Sequence, residues 1–318
     1  MTILVIGYPG AFFNWGVGAL RSLIASHMRV THSHIDLQDF SGTFGDAEGC
    51  HVVSTNFPNP LLANYCARAS IPIVGFFEEP VCSLGRDQEE LPQEALADLR
   101  AISASVALCA DLVKTENTLI VDRNRFAYGH DIVRKLQGFV QEACGIAECG
   151  EDLLKELGQG LPKAHQSEGE RVENRPYTEL FGRPKSGKPT AGYEWDYPLF
   201  MFGEINEPVG SMWLDLTGPA RTLYYGPYFH IPQGSYEFRI AMQFSEDAIG
   251  LPLTLEVVNK NVIGRGKVAA ATAGKFAANL VVDVAYPQEP IEVRIKSDEG
   301  AIFGHVGLLN VSVSRRPA

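Results

Sequence analysis

Paired carboxylates at the end of an apolar run, a glycine-proline turn after the opening strand and a set of aromatic residues in the second half are where this chain could do chemistry. Glu78 and Glu79 close the apolar stretch of residues 71–77, at the strand edge where open α/β sheets place ligands. A carboxylate shielded there has a raised pKa and can take a proton from an acceptor hydroxyl, which makes Glu78 and Glu79 the candidate general bases. Gly7-Tyr8-Pro9-Gly10 is turn chemistry between a β-rich run at residues 2–6 and a helix read over residues 16–28. Such a turn aims backbone N–H groups and a helix N-terminus at the space above the strand, which suits an anion. Together with Ala11, Phe12, Asn14 and Trp15 it is the candidate cofactor loop, although the first twenty residues contain no charged side chain. Tyr224, Tyr225 and Tyr228, with Trp213, are the candidate glycan contacts, because aromatic faces stack on the C–H groups of sugar rings. The alternative use of the tyrosines is packing of one domain on the other.

Two other constellations carry less. His32, His34 and Asp36 share one face of an alternating stretch, but two histidines are short of the three or four ligands that zinc takes. No metal is expected. Gly182-Arg183-Pro184-Lys185-Ser186-Gly187-Lys188-Pro189-Thr190 falls one residue short of a Walker A loop. Pro189 stands where the magnesium-binding hydroxyl belongs and blocks a helix start, so the stretch reads as a solvated linker.

The elements that must hold these residues fall into two halves. Over residues 1–160, strand-like runs at 2–6, 30–37, 51–54, 71–77 and 117–122 alternate with helical stretches. That order predicts a parallel sheet covered on both faces, a three-layer α/β/α domain. Residues 161–192 are polar and Pro/Gly-rich, a linker by composition. From 193 to 318 the helical period disappears. Short alternating runs recur at 212–216, 234–243, 253–258, 279–284, 291–296 and 307–313, with turn residues between them. They predict an antiparallel β-sandwich of jelly-roll type. Within it Tyr236 and Phe238 alternate with Glu237 and Arg239 and should face the core.

A chain of 318 residues with 45% apolar and 20% charged residues is ordinary globular material with room for two cores. Its net charge of −11 disfavours nucleic acid and anionic membranes as partners. No apolar run reaches the roughly 20 residues that span a bilayer. All six cysteines precede residue 150, and Cys50, Cys66 and Cys82 sit beside apolar stretches, as reduced structural thiols do. A cytoplasmic location is the expectation, with homo-oligomerisation left open.

Taken in order, stretches of the first half resemble the PAPS-dependent sulfotransferase family. Gly7-Tyr8-Pro9-Gly10, with Trp15 and Leu20, is similar to its 5′-phosphosulfate loop. Val53-Ser54-Thr55-Asn56-Phe57-Pro58 resembles its Lys-Thr-His-Leu-Pro segment. Residues 73–83 resemble the strand and loop that hold the 3′-phosphate, and 117–139 the late strand and following helix. The resemblance implies a P-loop-like fold, PAPS or PAP as cofactor, Ser83 as a 3′-phosphate contact and Asn56 at the place of the catalytic histidine. The family's cations are absent: Gly10, Ala11, Phe12 and Phe13 replace its basic residue and hydroxyl pair, Ser54 its lysine, and Glu78 stands on or near its arginine. In the second half, the stretch from Tyr224 to Tyr236 resembles early strands of carbohydrate-binding β-sandwich modules.

These readings lead to a sulfotransferase-like protein of polysaccharide assembly, moving a sulfuryl group from PAPS to a sugar or other small hydroxyl acceptor. One alternative is a non-catalytic glycan- or partner-binding protein with a retired transferase domain. The second is another nucleotide-dependent transferase, such as a glycosyltransferase. A dehydrogenase is the weakest reading, because Gly7, Gly10, Gly16 and Gly18 lack the dinucleotide-loop spacing.

Overall fold

The computed structural model describes residues 1–37, 40, 43–44, 48–78, 93–126, 128–162, 192–203, 207–208 and 212–317. They group into two compact units, one within Met1–Gly85 and Leu108–Glu170, the other within Arg86–Ala107 and Arg171–Ala318. Glu79, Ser83, the near-Walker stretch and most of the linker lie outside the described residues.

The first unit is built on a parallel sheet of β1 (Thr2–Gly7), β2 (Val30–His34), β3 (Cys50–Thr55), β4 (Ile73–Phe77) and β5 (Thr118–Asp122), in the order β2-β3-β1-β4-β5. That order differs from the 3-2-1-4-5 arrangement of dinucleotide-binding sheets. The central strands β1 and β4 read as continuous apolar runs because both of their faces are buried. Ile3, Val5, Val52, Val74 and Phe76 pack on one face against α1 (Ala11–Ala25), α4 (Gly129–Cys144) and α5 (Glu151–Gln159). Leu4, Ile6, Val53 and Ile73, which alternate with them, are equally inaccessible. α2 (Leu62–Ala69) also belongs to this unit.

α1 begins at Ala11, five residues before the position expected from the sequence. Phe12 and Phe13 are therefore first-turn helix residues turned into the core, at 1% and 2% exposure, rather than loop residues.

The second unit is a sandwich of two antiparallel sheets. One sheet has the order β13-β12-β15-β10-β7-β8. Its strands are β7 (Met201–Phe202), β8 (Glu207–Pro208), β10 (Thr222–Phe229), β12 (Leu253–Asn259), β13 (Asn261–Val268) and β15 (Ile291–Ser297). The other orders β14 (Gly274–Val284), β11 (Gly234–Phe244), β16 (His305–Arg315) and β6 (Tyr193–Asp196), with β9 (Trp213–Asp215) also paired to β16. The inner faces interlock through aromatic residues: Trp195 of β6 lies 5.9 Å from Phe229 and 6.0 Å from Phe238. Tyr236 and Phe238 are buried as their alternation predicts, with Arg239 outside. Helix α3 (Gln93–Cys109) belongs to this unit through Ala107. Arg100 Nε donates to the Pro227 carbonyl at 2.8 Å, and the His230 N–H donates to Ser103 Oγ at 3.0 Å.

Candidate functional site

The carboxyl edge of the parallel sheet carries Gly7, Tyr8, Gly10, Asn56 and Glu78. Gly7 ends β1 where only hydrogen fits, because a Cβ there would overlap the Phe76 carbonyl and lie 2.8 Å from the Phe13 ring. Asn56 is buried and donates Nδ2–H to the Gly7 carbonyl at 2.8 Å. It ties the ends of β1 and β3 together. An amide in that bond takes no proton, so the assignment of Asn56 as catalytic is corrected to a positioning one. Tyr8 is buried with its ring edge-on to Phe77 at 4.9 Å. Phe12 stacks on Trp15 at 5.8 Å, and Trp15 Nε1 donates to the Leu157 carbonyl of α5. Phe12, Phe13 and Trp15 thus serve helix packing, which corrects the reading of Phe12 and Trp15 as cofactor contacts. Pro9, Ala11 and Asn14 are exposed, and Gly10 is half-buried at the helix N-cap.

What stands over that helix end is Glu78. Its Oε1 lies 3.1 Å from the position a Gly10 Cβ would take. α1 has no side-chain cap and no acidic residue in its first turn, and among the described residues the Glu78 carboxylate brings a negative charge to its positive end. An incoming phosphate would meet that carboxylate. Two like charges 4 Å apart repel by roughly 4 kcal/mol at an effective dielectric of 20.

Beside this edge a polar chain links β2 to β3. His32 Nε2 and His34 Nδ1 each lie 2.9 Å from Ser54 Oγ, and His34 Nε2 lies 3.0 Å from Asp36 Oδ2. The Asp–His–Ser connectivity is that of a nucleophilic triad, but Ser54 is 1% exposed and two imidazoles share its oxygen. The chain is a bracket, not a nucleophile. Among the described residues no group of three or more His, Cys, Asp or Glu is placed to hold a metal ion.

Asp36 anchors the bracket. Burial raises its pKa, but hydrogen bonds from Phe57 N, Thr55 Oγ1, His34 and Asn56 N outweigh that and hold it below the usual carboxylate range. His32 is also held below its ordinary value, first by burial and then by the charges of Arg21, His34 and His51. Both depressed groups contribute stability that is complete above their unfolded values, about 6.5 for His and 3.9 for Asp, and is lost as pH falls through the folded values. Asp36→Ala should cost about 2–3 kcal/mol at neutral pH and should lack the lower of the two acid-side losses. Urea titrations at stepped pH check this, and a variant whose acid limb overlays the wild type would refute it.

The sandwich carries the second surface, on the outer face of the six-stranded sheet. Strand pairing places Tyr225, Arg294, Glu256 and Arg265 in one row across β10, β15, β12 and β13. The next row is Thr222, Lys296, Thr254 and Lys267. Directly paired residues point to the same side of a sheet. Glu256 accepts from Arg265 Nε at 3.0 Å, from Arg265 Nη2 and from Lys296 Nζ at 2.7 Å. Burial raises the Glu256 pKa, but these cations more than offset it and keep it low. Arg294 Nη2 donates to Glu292 Oε2 at 2.6 Å, and Lys267 Nζ lies 2.9 Å from Asp298 Oδ2.

The aromatic candidates separate on this frame. Tyr225 is half-exposed in its row, between Arg294 of β15 and Met201 of β7. Tyr228, 6.3 Å from it, has a left-handed backbone (φ 66°), donates its hydroxyl to Glu292 Oε1 at 3.0 Å and carries the Arg100 guanidinium 5.2 Å over its ring. Burial and Glu292 together push its phenol pKa up. Tyr224 is a correction: it is fully buried, with its hydroxyl 2.8 Å from the Met212 carbonyl and 3.1 Å from the Val306 carbonyl, so no face remains for a sugar. Trp213 is half-exposed on the outer face of the opposite sheet, beside Gly307, and does not join Tyr225. Sequence reasoning missed Glu256, Arg265, Glu292, Arg294, Lys296 and Lys267, although their period-2 spacing within each strand was visible.

No protein-family model and no curated protein matches the chain. Solved structures similar to it include the carbohydrate-binding module TmCBM61 in complex with β-1,4-galactotriose, at 10% identity, 38% of this chain, 91% of that one and a TM-score of 0.28. Another is the CBM36-1 domain of a multidomain xylanase from the hindgut metagenome of Trinervitermes trinervoides, at 12% identity, 40% and 99% coverage and a TM-score of 0.27. A third is the PRD1 vertex protein, at 12% identity, 39% and 72% coverage and a TM-score of 0.24.

Proposed function

We propose that this chain is a non-catalytic glycan-binding protein whose sandwich carries the binding face and whose α/β unit is a transferase-like domain that no longer takes a donor. The carrying observation is the outer face of the six-stranded sheet, where half-exposed Tyr225 stands in line with ordered side-chain donors. An apolar ring beside fixed polar groups is what a sugar ring offers a complement to. The position of Glu78 over the α1 N-terminus supports the retired reading of the other unit, since an active sulfotransferase must admit the PAPS phosphates there.

The full-length chain on a glycan microarray should be retained by at least one saccharide class. In the same preparation PAP should leave the melting temperature unchanged, whereas a ligand at 100 times its Kd adds about 2.7 kcal/mol of stability. Retention by no glycan at all would defeat the binding reading. A clear rise with PAP would instead revive the transferase.

A further inference from the structure

We propose that the ligand of the sandwich face is a carboxylate-bearing glycan, a chain containing uronic acid residues. This rests on the glycan-binding reading of the same face and names its ligand class. The layering of charge carries it. On this outer face the carboxylates lie beneath and the cations on top: Glu256, Glu292 and Asp298 side chains are 3%, 12% and 22% exposed, against 62%, 73%, 34% and 34% for Arg265, Lys267, Arg294 and Lys296.

The buried acids fix the positions of the cations but consume only part of their donors. Lys296 spends one of three N–H groups on Glu256, and Arg265 spends Nε and one Nη2 hydrogen. The Arg265 and Lys296 side chains are 62% and 34% exposed, which leaves surface for further hydrogen bonds. Within each strand the two cations are two residues apart, roughly 7 Å, and β13 and β15 are separated by β12, roughly 10 Å in all. The result is a held grid of donors with Tyr225 at one margin, in a protein whose net charge is −11.

The same arithmetic decides which anion. Among the described ion pairs the four cations exceed the three carboxylates beneath them by one charge. A densely sulfated chain or a nucleic acid is held by many uncompensated cations and counterion release, which this face does not supply. It supplies directed, charge-assisted hydrogen bonds from Arg and Lys to single carboxylates, beside an aromatic ring for the sugar.

The test is affinity electrophoresis and titration of the full-length chain against polygalacturonate, alginate and hyaluronan, each paired with its carboxyl-reduced counterpart, with heparin as a fourth probe. At least one uronan should bind at least about tenfold more tightly than its reduced form. Arg294→Gln combined with Lys267→Gln should remove that preference while the melting transition stays cooperative. The paired polysaccharides test the proposal in the wild type, whatever the variant's stability. Equal binding of a uronan and its reduced form would overturn the acidic-ligand inference and leave glycan binding standing. Binding of heparin alongside every uronan, abolished by moderate salt, would overturn it in favour of undirected polyanion attraction. Binding of none of these probes, with an empty microarray, would remove the glycan reading itself.

Discussion

Arg265→Met combined with Lys296→Met is expected to destabilise the sandwich by about 3–5 kcal/mol. Glu256 is 2% exposed and has both cations as partners. Removing them strands a charge that water cannot reach. Removing Glu256 as well should recover most of the loss, because three apolar side chains replace the whole network rather than half of it. The pH dependence carries the sign. In the wild type the Glu256 pKa is depressed, so its contribution is present above about 4 and lost as pH falls through the folded value. In the double variant only the neighbouring Arg294 still opposes burial, so the Glu256 pKa rises relative to the wild type and the gap between the two should narrow in acid. Denaturant unfolding followed by tryptophan fluorescence measures both. A double variant within about 1 kcal/mol of the wild type would show that the carboxylate is not held as described.

Gly7→Ala is the second large effect, about 3 kcal/mol of destabilisation. The added methyl would meet the Phe76 carbonyl, which is part of β4 and cannot step aside, and the Phe13 ring. Gly7 also accepts the Asn56 hydrogen bond, so any shift of β1 loosens the join to β3. Gly18→Ala is the control. It lies on the exposed side of α1 with nothing within 4 Å of a new Cβ, and should stabilise by about 0.5–1 kcal/mol. Equal melting temperatures for the two variants would contradict the packing at the end of β1.

The architecture was readable where burial imposes a period. β1 and β4 appear as unbroken apolar runs because both their faces are covered, and β11 alternates because one is. Reading failed where the deciding partner is far along the chain. The start of α1 has no Ser, Thr, Asp or Asn cap to announce it, so Phe12 and Phe13 passed for loop residues. Tyr224 and Tyr225 look alike in sequence, but a register shift between Thr222 and Tyr224 turns one into the core and leaves the other outside. The charged face was hidden for a similar reason. Glu256, Arg294 and Arg265 are unremarkable polar positions until strand pairing sets them side by side. Glu78 was read from its strand edge as a base, while the fold sets it over a helix end.

The binding face itself is tested most directly by titrating the best glycan from the microarray against Tyr225→Ala and Trp213→Ala in parallel. Loss of one aromatic stacking contact is worth about 1.5 kcal/mol, roughly tenfold in Kd. Tyr225→Ala should weaken binding by that factor and Trp213→Ala should leave it unchanged. Unchanged affinity in Tyr225→Ala, with loss in Trp213→Ala, would move the site to the opposite sheet and contradict the account.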